Sequence, residues 1–136
     1  MNALKILLIE DDIIEVMKLN RAKSSLQLNH KIMEANNGDD ALMLLEQKDN
    51  LPDIILLDLN MPKINGIEFL KIIKDDERLK YIPTIILTTS NNKRDLLECY
   101  KIGIAGYILK PLKYEDYVFK IEKLLTYWSI NEIIKG

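Results

Sequence analysis

The sequence predicts a three-layer α/β fold in which a doubly wound, five-stranded parallel sheet lies between five helices. Three observations predict it. Five short and largely apolar segments have the composition of strands that are covered on both faces. Segments with apolar side chains at helical spacing separate these strands, which is typical of βαβ units. The composition never changes to a Gly/Ser-rich or Pro-rich linker, so we expect one domain.

The first βαβ unit has a clear pattern. Residues 4–9 read LKILLI and predict a buried strand, which ends at the polar segment Glu10-Asp11-Asp12. The next segment predicts a helix with one buried stripe, because its apolar residues recur at helical spacing with charged residues between them. These apolar residues are Val16, Leu19, Ala22 and Leu26.

Four further strands alternate with four further helices. The strands are predicted at residues 31–35, 54–57, 84–87 and 107–109. The helices are predicted at residues 38–47, 66–74 and 92–102, and the last helix runs from Tyr114 towards Ile134. Ser129 and Asn131 favour a break. We therefore expect the domain to occupy residues 1–128, followed at 129–136 by an extension of the last helix or a tail.

Charge and composition exclude several classes of partner. The 136 residues carry a formal net charge of −2, which provides no general attraction to nucleic acid or anionic lipid. Every apolar run is far shorter than the roughly 20 residues of a membrane-spanning helix. Cys99 has no second cysteine to pair with, and no signal segment precedes the first strand. We therefore expect a cytoplasmic protein that binds neither nucleic acid nor membrane directly.

Polar residues follow four of the predicted strands, where the functional groups of open α/β sheets collect. Two charges 4 Å apart repel by about 4 kcal/mol at an effective dielectric near 20, so carboxylates gathered there need a cation. Oxygen donors without a nearby histidine or cysteine favour Mg²⁺ or Mn²⁺. With a hydroxyl and an ammonium group, this set supports phosphoryl transfer to a carboxylate. The residues are Glu10, Asp11, Asp58, Thr88 and Lys110.

Each of these residues also has a simpler interpretation when it is taken alone. Lys110 could be a solvated residue at a strand end, and Asp58 could cap a turn. Asp12 is expected to cap the first helix. Outside this set, His30 lies in a polar stretch and is expected at the surface, whereas Cys99 lies among apolar helix positions and is expected to be buried.

Taken together, the pattern resembles the receiver domains of bacterial two-component response regulators. The resemblance covers about residues 4–125 and rests on an acidic pair, an acceptor in LLDLNMP, a hydroxyl thirty residues beyond Asp58, and YILKP. These pieces are Glu10-Asp11, residues 56–62 with Gly66, Thr88, and residues 107–111. The resemblance implies a flavodoxin-like sheet with strand order 2-1-3-4-5 and five helices.

The resemblance also implies roles for the site residues. Asp58 is the expected phosphoacceptor. Asp11 is expected to bind the metal directly, Glu10 through water, and Asn60 through its backbone carbonyl. The expected metal is Mg²⁺ or Mn²⁺.

A second group of residues is expected to respond to the phosphoryl group. Lys110 should pair with Asp58 and then with the phosphoryl oxygens, and a cis peptide is expected between Lys110 and Pro111. Thr88 is the expected switch hydroxyl, and Tyr107 should rotate inward after it. The face formed by the fourth helix, fifth strand and fifth helix would then change shape.

The implied function is that of a single-domain response regulator. Its partners would be a sensor histidine kinase or phosphotransfer protein and a downstream protein target. It would not be an enzyme in the usual sense, although Mg²⁺-dependent autophosphorylation and autodephosphorylation are implied. The long last helix also resembles stand-alone receivers of phytochrome-like kinases, so we expect a homodimer through Tyr117, Ile121 and Trp128.

Two other functions remain as alternatives. A pseudo-receiver would have the same fold and bind partners without being phosphorylated, but it would not need the complete set of polar residues. An aspartyl-nucleophile phosphatase commonly has a second Asp two residues after the nucleophile. Here that position is Asn60, which cannot protonate a leaving group.

Overall fold

The computed structural model describes residues 3–47 and 49–134, which form one five-stranded parallel sheet. The strands lie in the order β2-β1-β3-β4-β5, which confirms the predicted topology. They are β1 (Lys5–Ile9), β2 (Lys31–Ala35), β3 (Ile54–Leu57), β4 (Thr84–Thr88) and β5 (Gly106–Leu109). The strand order reverses between β1 and β3, and this is where open α/β sheets form their binding crevice.

Five helices connect or follow the strands. They are α1 (Ile13–Ser25), α2 (Gly38–Leu45), α3 (Gly66–Asp75), α4 (Lys93–Ile102) and α5 (Tyr114–Ser129). A short polar residue directly precedes each of the first four helices. Its side-chain oxygen accepts a hydrogen bond from a backbone N–H that would otherwise be unpaired. Asp12 does so for α1, as predicted, and the other three caps are Asn37, Asn65 and Asn92.

The helices cover both faces of the sheet. Alternate residues of β1 and β3 enter two separate apolar clusters, because successive side chains of a strand point to opposite faces. Leu7 and Leu57 pack in the cluster that contains Phe69 of α3, and Ile6 and Leu56 pack in the one that contains α5. Both strands are buried along nearly their whole length, as their continuous apolar sequences predicted.

The last helix is shorter than the apolar pattern suggested. It ends at Ser129, and the described residues 130–134 form neither helix nor strand. The Asn131 amide donates a hydrogen bond to the Tyr127 carbonyl, 2.6 Å away, and Ile133 packs against the core. Residues 135 and 136 lie outside the described part of the chain. Within that part, the helices are too short or too polar to cross a bilayer.

The structure contradicts two of the three dimer contacts that were expected of α5. Tyr117 and Ile121 are 1% and 0% exposed, because they form the stripe that packs on the sheet. Trp128 is half-buried against the same cluster. The exposed aromatic residues of this helix are Phe119 and Tyr127, at 60% and 56% exposed. Tyr117 and Ile121 therefore stabilise the fold and are not available to a partner.

The prediction for His30 was also wrong. His30 is buried between β1 and β2, and its Nδ1 accepts a hydrogen bond from the Leu4 amide at 2.9 Å. Burial lowers the pKa of His30, and the nearby Lys23 charge lowers it further. Cys99 is buried in the core as predicted, and burial raises the pKa of its thiol to about 11.

We predict that the neutral His30 makes stability depend on pH. The folded-state pKa lies below the unfolded value near 6.5, so the unfolded chain binds the proton more readily. Stability from neutral His30 is present above about pH 6.5 and is lost as the pH falls towards the folded pKa. His30→Asn keeps an acceptor for the Leu4 amide but cannot titrate, so its free energy of unfolding should fall less between pH 7.5 and 5.

Urea unfolding at the two pH values measures this difference, because losses from other groups are common to both proteins. His30→Leu is the matched control, since it removes both the acceptor and the titratable group. It should be less stable by about 1–3 kcal/mol at pH 7.5. Equal pH dependence in the wild type and His30→Asn would show that His30 does not contribute to it.

Candidate functional site

The predicted site residues lie at the carboxyl ends of β1, β3, β4 and β5. The sheet itself holds two of them side by side. The Glu10 amide donates to the Ala35 carbonyl at 3.0 Å, and the Asp58 amide donates to the Ile9 carbonyl at 3.1 Å. Because these bonds continue the hydrogen-bonding pattern of the sheet, the backbones that carry the two carboxylates have little freedom to move apart.

Three carboxylates meet at this edge. Glu10, Asp11 and Asp58 each offer an oxygen atom, and the three atoms lie within 4.8 Å of one another. Glu10 and Asp58 are buried, whereas Asp11 is exposed and, with Asn60, lines a cleft of about 460 Å³. A set of carboxylate oxygens with one solvent-facing side fits a hard cation that keeps part of its water shell, such as Mg²⁺ or Mn²⁺.

One buried cation lies among these carboxylates. The Lys110 ammonium group is 2.5 Å from Glu10 Oε1, 3.6 Å from Glu15 Oε2 and 3.9 Å from Asp58 Oδ2. Only 5% of its side chain is exposed, and its backbone amide donates to the Thr88 carbonyl at 2.8 Å. The structure therefore brings Lys110 to Asp58, as expected, but its closest partner is Glu10.

The pKa values of Glu10 and Lys110 are both raised. Burial raises the pKa of Glu10 to about 7, although the hydrogen bond and charge of Lys110 act against this rise. Burial lowers the pKa of Lys110, but the hydrogen bond to Glu10 and the surrounding carboxylates outweigh it, so the net change is upward. Lys110 therefore stays protonated. A second cation at this edge would favour the ionised form of Glu10.

The expected cis peptide is not found. The described residues contain no cis peptide bond, so the bond between Lys110 and Pro111 is trans. Trans is the preferred isomer of an X–Pro bond by about 0.5–1 kcal/mol. With this backbone, the Lys110 side chain already reaches Glu10 and lies 3.9 Å from Asp58.

The switch residues meet at the loop after β4. Thr88 is the last residue of β4 and is fully buried, and its Oγ1 accepts a hydrogen bond from the Ser90 amide at 3.3 Å. The Tyr107 hydroxyl donates to the Ser90 carbonyl at 2.8 Å. Tyr107 is half-buried and packs against the core, so its ring already points inward. Ser90 joins the two residues, and the sequence pattern did not reveal this role.

The segment after β3 bends tightly around Asp58. The Asn60 amide donates to Asp58 Oδ1 at 3.4 Å, and the Gly66 amide donates to the Leu59 carbonyl at 3.1 Å. A Cβ atom at Gly66 would lie 2.6 Å from both the Asp58 carbonyl oxygen and the Leu59 Cα. Gly66 is therefore required by the close approach of α3 to the backbone of the acceptor segment.

Glu15 is a site residue that sequence reasoning missed. It lies in the first turn of α1, and its side chain reaches Lys110 from the helix that begins beside the acidic segment. Its place in the first turn of the helix after β1 was the available signal. An acidic residue there is common for another reason, because it complements the helix dipole, so the pattern alone did not distinguish it.

Comparison with known proteins agrees with this arrangement. The model of the response regulator receiver domain matches residues 6–122. The chain belongs to the response regulator receiver family. Receiver domains are phosphoacceptor switches that take phosphoryl groups from histidine kinases and act on downstream targets, and they bind Mg²⁺ or Mn²⁺ at an acidic pocket.

Individual known proteins are similar to this one over nearly the whole of its chain. The regulatory protein FilR2 of Methanothrix harundinacea is 38% identical over 127 residues, which cover 90% of this chain and 82% of FilR2. The crystal structure of the phosphorylated cyanobacterial phytochrome response regulator RcpA superposes with a TM-score of 0.91 at 30% identity, covering 98% of this chain and 100% of RcpA. The Mn²⁺-bound form of Rcp1 superposes with a TM-score of 0.87 at 28% identity, covering 98% of this chain and 99% of Rcp1.

We predict that Gly66→Ala destabilises this receiver domain by about 1–3 kcal/mol, because the new methyl group overlaps backbone atoms that cannot rotate away. Gly106→Ala is the matched control. A Cβ there would meet only Ile85 Cγ2 at 3.7 Å, an ordinary contact, so its stability should stay close to that of the wild type. Urea unfolding of the three proteins tests this, and equal stability of Gly66→Ala and the wild type would contradict it.

Proposed function

We propose that this chain is a single-domain response regulator that accepts one phosphoryl group on Asp58 in a reaction that depends on Mg²⁺ or Mn²⁺. The observation that carries the proposal is the cluster of three carboxylates with oxygens within 4.8 Å, next to a buried ammonium group 3.9 Å from Asp58. Family membership supports it, because receivers use such a site for phosphoryl transfer.

The acidic residues would hold the metal. Asp11 and Asp58 would bind it through their carboxylates, Asn60 through its backbone carbonyl and Glu10 through a water molecule. When bound, the ion neutralises charge on the phosphoryl oxygens. Asp58 then attacks the phosphorus of a phosphohistidine, a P–O bond forms, and the P–N bond breaks as the imidazole leaves.

The remaining site residues would respond to the new phosphoryl group. Lys110 donates a charge-assisted hydrogen bond to one of its oxygens, and the Thr88 hydroxyl donates to another. Thr88 then no longer accepts from the Ser90 amide in its present geometry, and the loop that carries Ser90 adjusts. Tyr107 is bonded to the same loop and transmits the change to the face formed by α4, β5 and α5.

The proposed partners follow from this chemistry. A sensor histidine kinase or a phosphotransfer protein would supply the phosphoryl group, and a downstream protein would bind the altered face. Autophosphorylation by small donors and slow autodephosphorylation would use the same residues in the cytoplasm. A homodimer through α5 would have to use its exposed side chains, such as Phe119 and Tyr127, because Tyr117 and Ile121 are buried.

The phosphatase alternative is disfavoured by Asn60, whose backbone amide bonds Asp58 and whose side chain cannot act as a general acid. The pseudo-receiver alternative remains the second candidate. It makes the opposite prediction about phosphorylation, so one experiment separates the two.

We predict that intact mass measurement after incubation with Mg²⁺ and acetyl phosphate will show one added phosphoryl group on the wild type. Asp58→Asn should show none, because an amide cannot form the acyl phosphate. Asp39→Asn is the control, since it removes an exposed carboxylate on α2 and should be modified like the wild type. Chelation of the metal should abolish the adduct.

A wild type that remains unmodified, and that also binds no beryllium fluoride in the presence of Mg²⁺, would favour the pseudo-receiver. An adduct that persists in Asp58→Asn would show that another residue is the acceptor.

A further inference from the structure

Lys110 is surrounded by three carboxylates but is hydrogen-bonded to only one of them. Its ammonium group has three donors, and its hydrogen bond at 2.5 Å goes to Glu10. Glu15 and Asp58 lie at 3.6 and 3.9 Å, close enough for attraction but beyond a normal charge-assisted hydrogen bond. Two of these carboxylates belong to the acceptor site, and the third belongs to α1.

Glu15 has an unused acceptor that faces Lys110. Its Oε2 is buried and has no hydrogen-bond partner within the described residues, and it lies 3.6 Å from the Lys110 ammonium group. A buried acceptor without a hydrogen-bond partner is destabilising. The other oxygen, Oε1, lies 3.6 Å from the Lys18 ammonium group. Lys18 itself lies over the Tyr117 ring at 4.6 Å, which holds this end of the carboxylate in place.

We propose that Glu15 is a positioning residue that receives the Lys110 ammonium group when Glu10 turns towards the metal. The inference rests on the proposed function, because it assumes that the three carboxylates bind a divalent cation. Such a cation and Lys110 compete for Glu10 and repel each other. A movement of about 1 Å would bring Lys110 to hydrogen-bond distance from Glu15 Oε2.

This exchange keeps Lys110 charged, buried and beside Asp58 while the metal site is filled. Without Glu15, the Lys110 side chain has two less favourable arrangements when the metal is bound. It can stay on Glu10 and weaken metal binding, or it can turn to Asp58, whose carboxylate the metal also needs. Glu15 does not need to touch the metal or the phosphoryl group to have this effect, so its action passes through Lys110.

A double-mutant cycle on Mg²⁺ affinity tests the proposal. Titration calorimetry would compare the wild type, Glu15→Gln, Lys110→Met and the double variant, all with the full chain. We expect Glu15→Gln to weaken Mg²⁺ binding by about tenfold, as is typical when a partner of the coordinating shell is lost. In the Lys110→Met background the same change should alter affinity by less than about twofold, because the group that Glu15 positions is gone.

Glu34→Gln is the charge-matched control. Glu34 is an exposed residue of β2 whose carboxylate accepts from the Asn20 amide group at 3.3 Å. Its removal should leave Mg²⁺ affinity within about twofold of the wild type, because exposed charges at a distance are screened.

A second readout follows Lys110 directly. In ¹⁵N-lysine NMR spectra, the wild-type Lys110 ammonium signal should be visible before Mg²⁺ is added and should remain visible, at a new position, afterwards. In Glu15→Gln it should disappear after Mg²⁺ is added, because the ammonium group then exchanges protons with water.

The outcomes separate the two proposals. A wild type that binds no Mg²⁺ would overturn the proposed metal-dependent function. Normal Mg²⁺ binding by the wild type, with unchanged affinity and a retained Lys110 signal in Glu15→Gln, would overturn only the role of Glu15. An equal loss of affinity in both backgrounds would mean that Glu15 acts as a distant charge, which also overturns it.

Discussion

The balance of charge at one edge of the sheet is the constraint on which the rest of the site depends. The carboxylates of Glu10, Asp58 and Glu15 lie around one buried ammonium group, and the exposed Asp11 lies beside the first two. Two like charges 4 Å apart repel by about 4 kcal/mol at an effective dielectric near 20, so a single lysine does not neutralise the set. Burial is the main cause of the raised pKa of Glu10, and the nearby charge of Asp58 adds to it. A divalent cation at this edge would relieve the repulsion.

The sheet can hold such a site because its strands cannot move apart. β1 and β3 are buried between two apolar clusters, and their backbone bonds continue past the strand ends to Glu10 and Asp58. The acceptor segment has equally little freedom, since Gly66 allows α3 to pack directly against its backbone. Repulsion among the carboxylates is thus opposed by hydrophobic burial and hydrogen bonds spread over the whole sheet. A site held in this way is preorganised for a cation and an anionic group.

The sequence predicted the features that follow from strand ends and periodicity. Strand and helix positions were predicted because apolar runs and helical stripes have distinct patterns, whereas the strand order was implied by the family resemblance. The meeting of Asp58 with Lys110 followed from parallel strands ending at one edge. Two of the wrong predictions concern the contacts that individual side chains make. A helical stripe shows that Tyr117 and Ile121 are apolar, but it does not show that their own sheet covers them. Likewise, the polar neighbours of His30 gave no sign of its buried bond to Leu4.

The inward position of Tyr107 changes how the proposed switch should be understood. A phosphoryl group can shift an equilibrium only by the difference in its interactions with the two states. Because Tyr107 already donates to Ser90, little of that free energy is needed to turn its ring. The larger change falls on the Ser90 loop, whose amide is bonded to Thr88 and whose carbonyl is bonded to Tyr107. If the Thr88 side chain turned to donate to a phosphoryl oxygen, the geometry of its bond from the Ser90 amide would change and the loop would have to adjust. In the proposed switch the signal would then begin in the backbone between β4 and α4, and the bond from Tyr107 would limit the arrangements that this backbone can adopt.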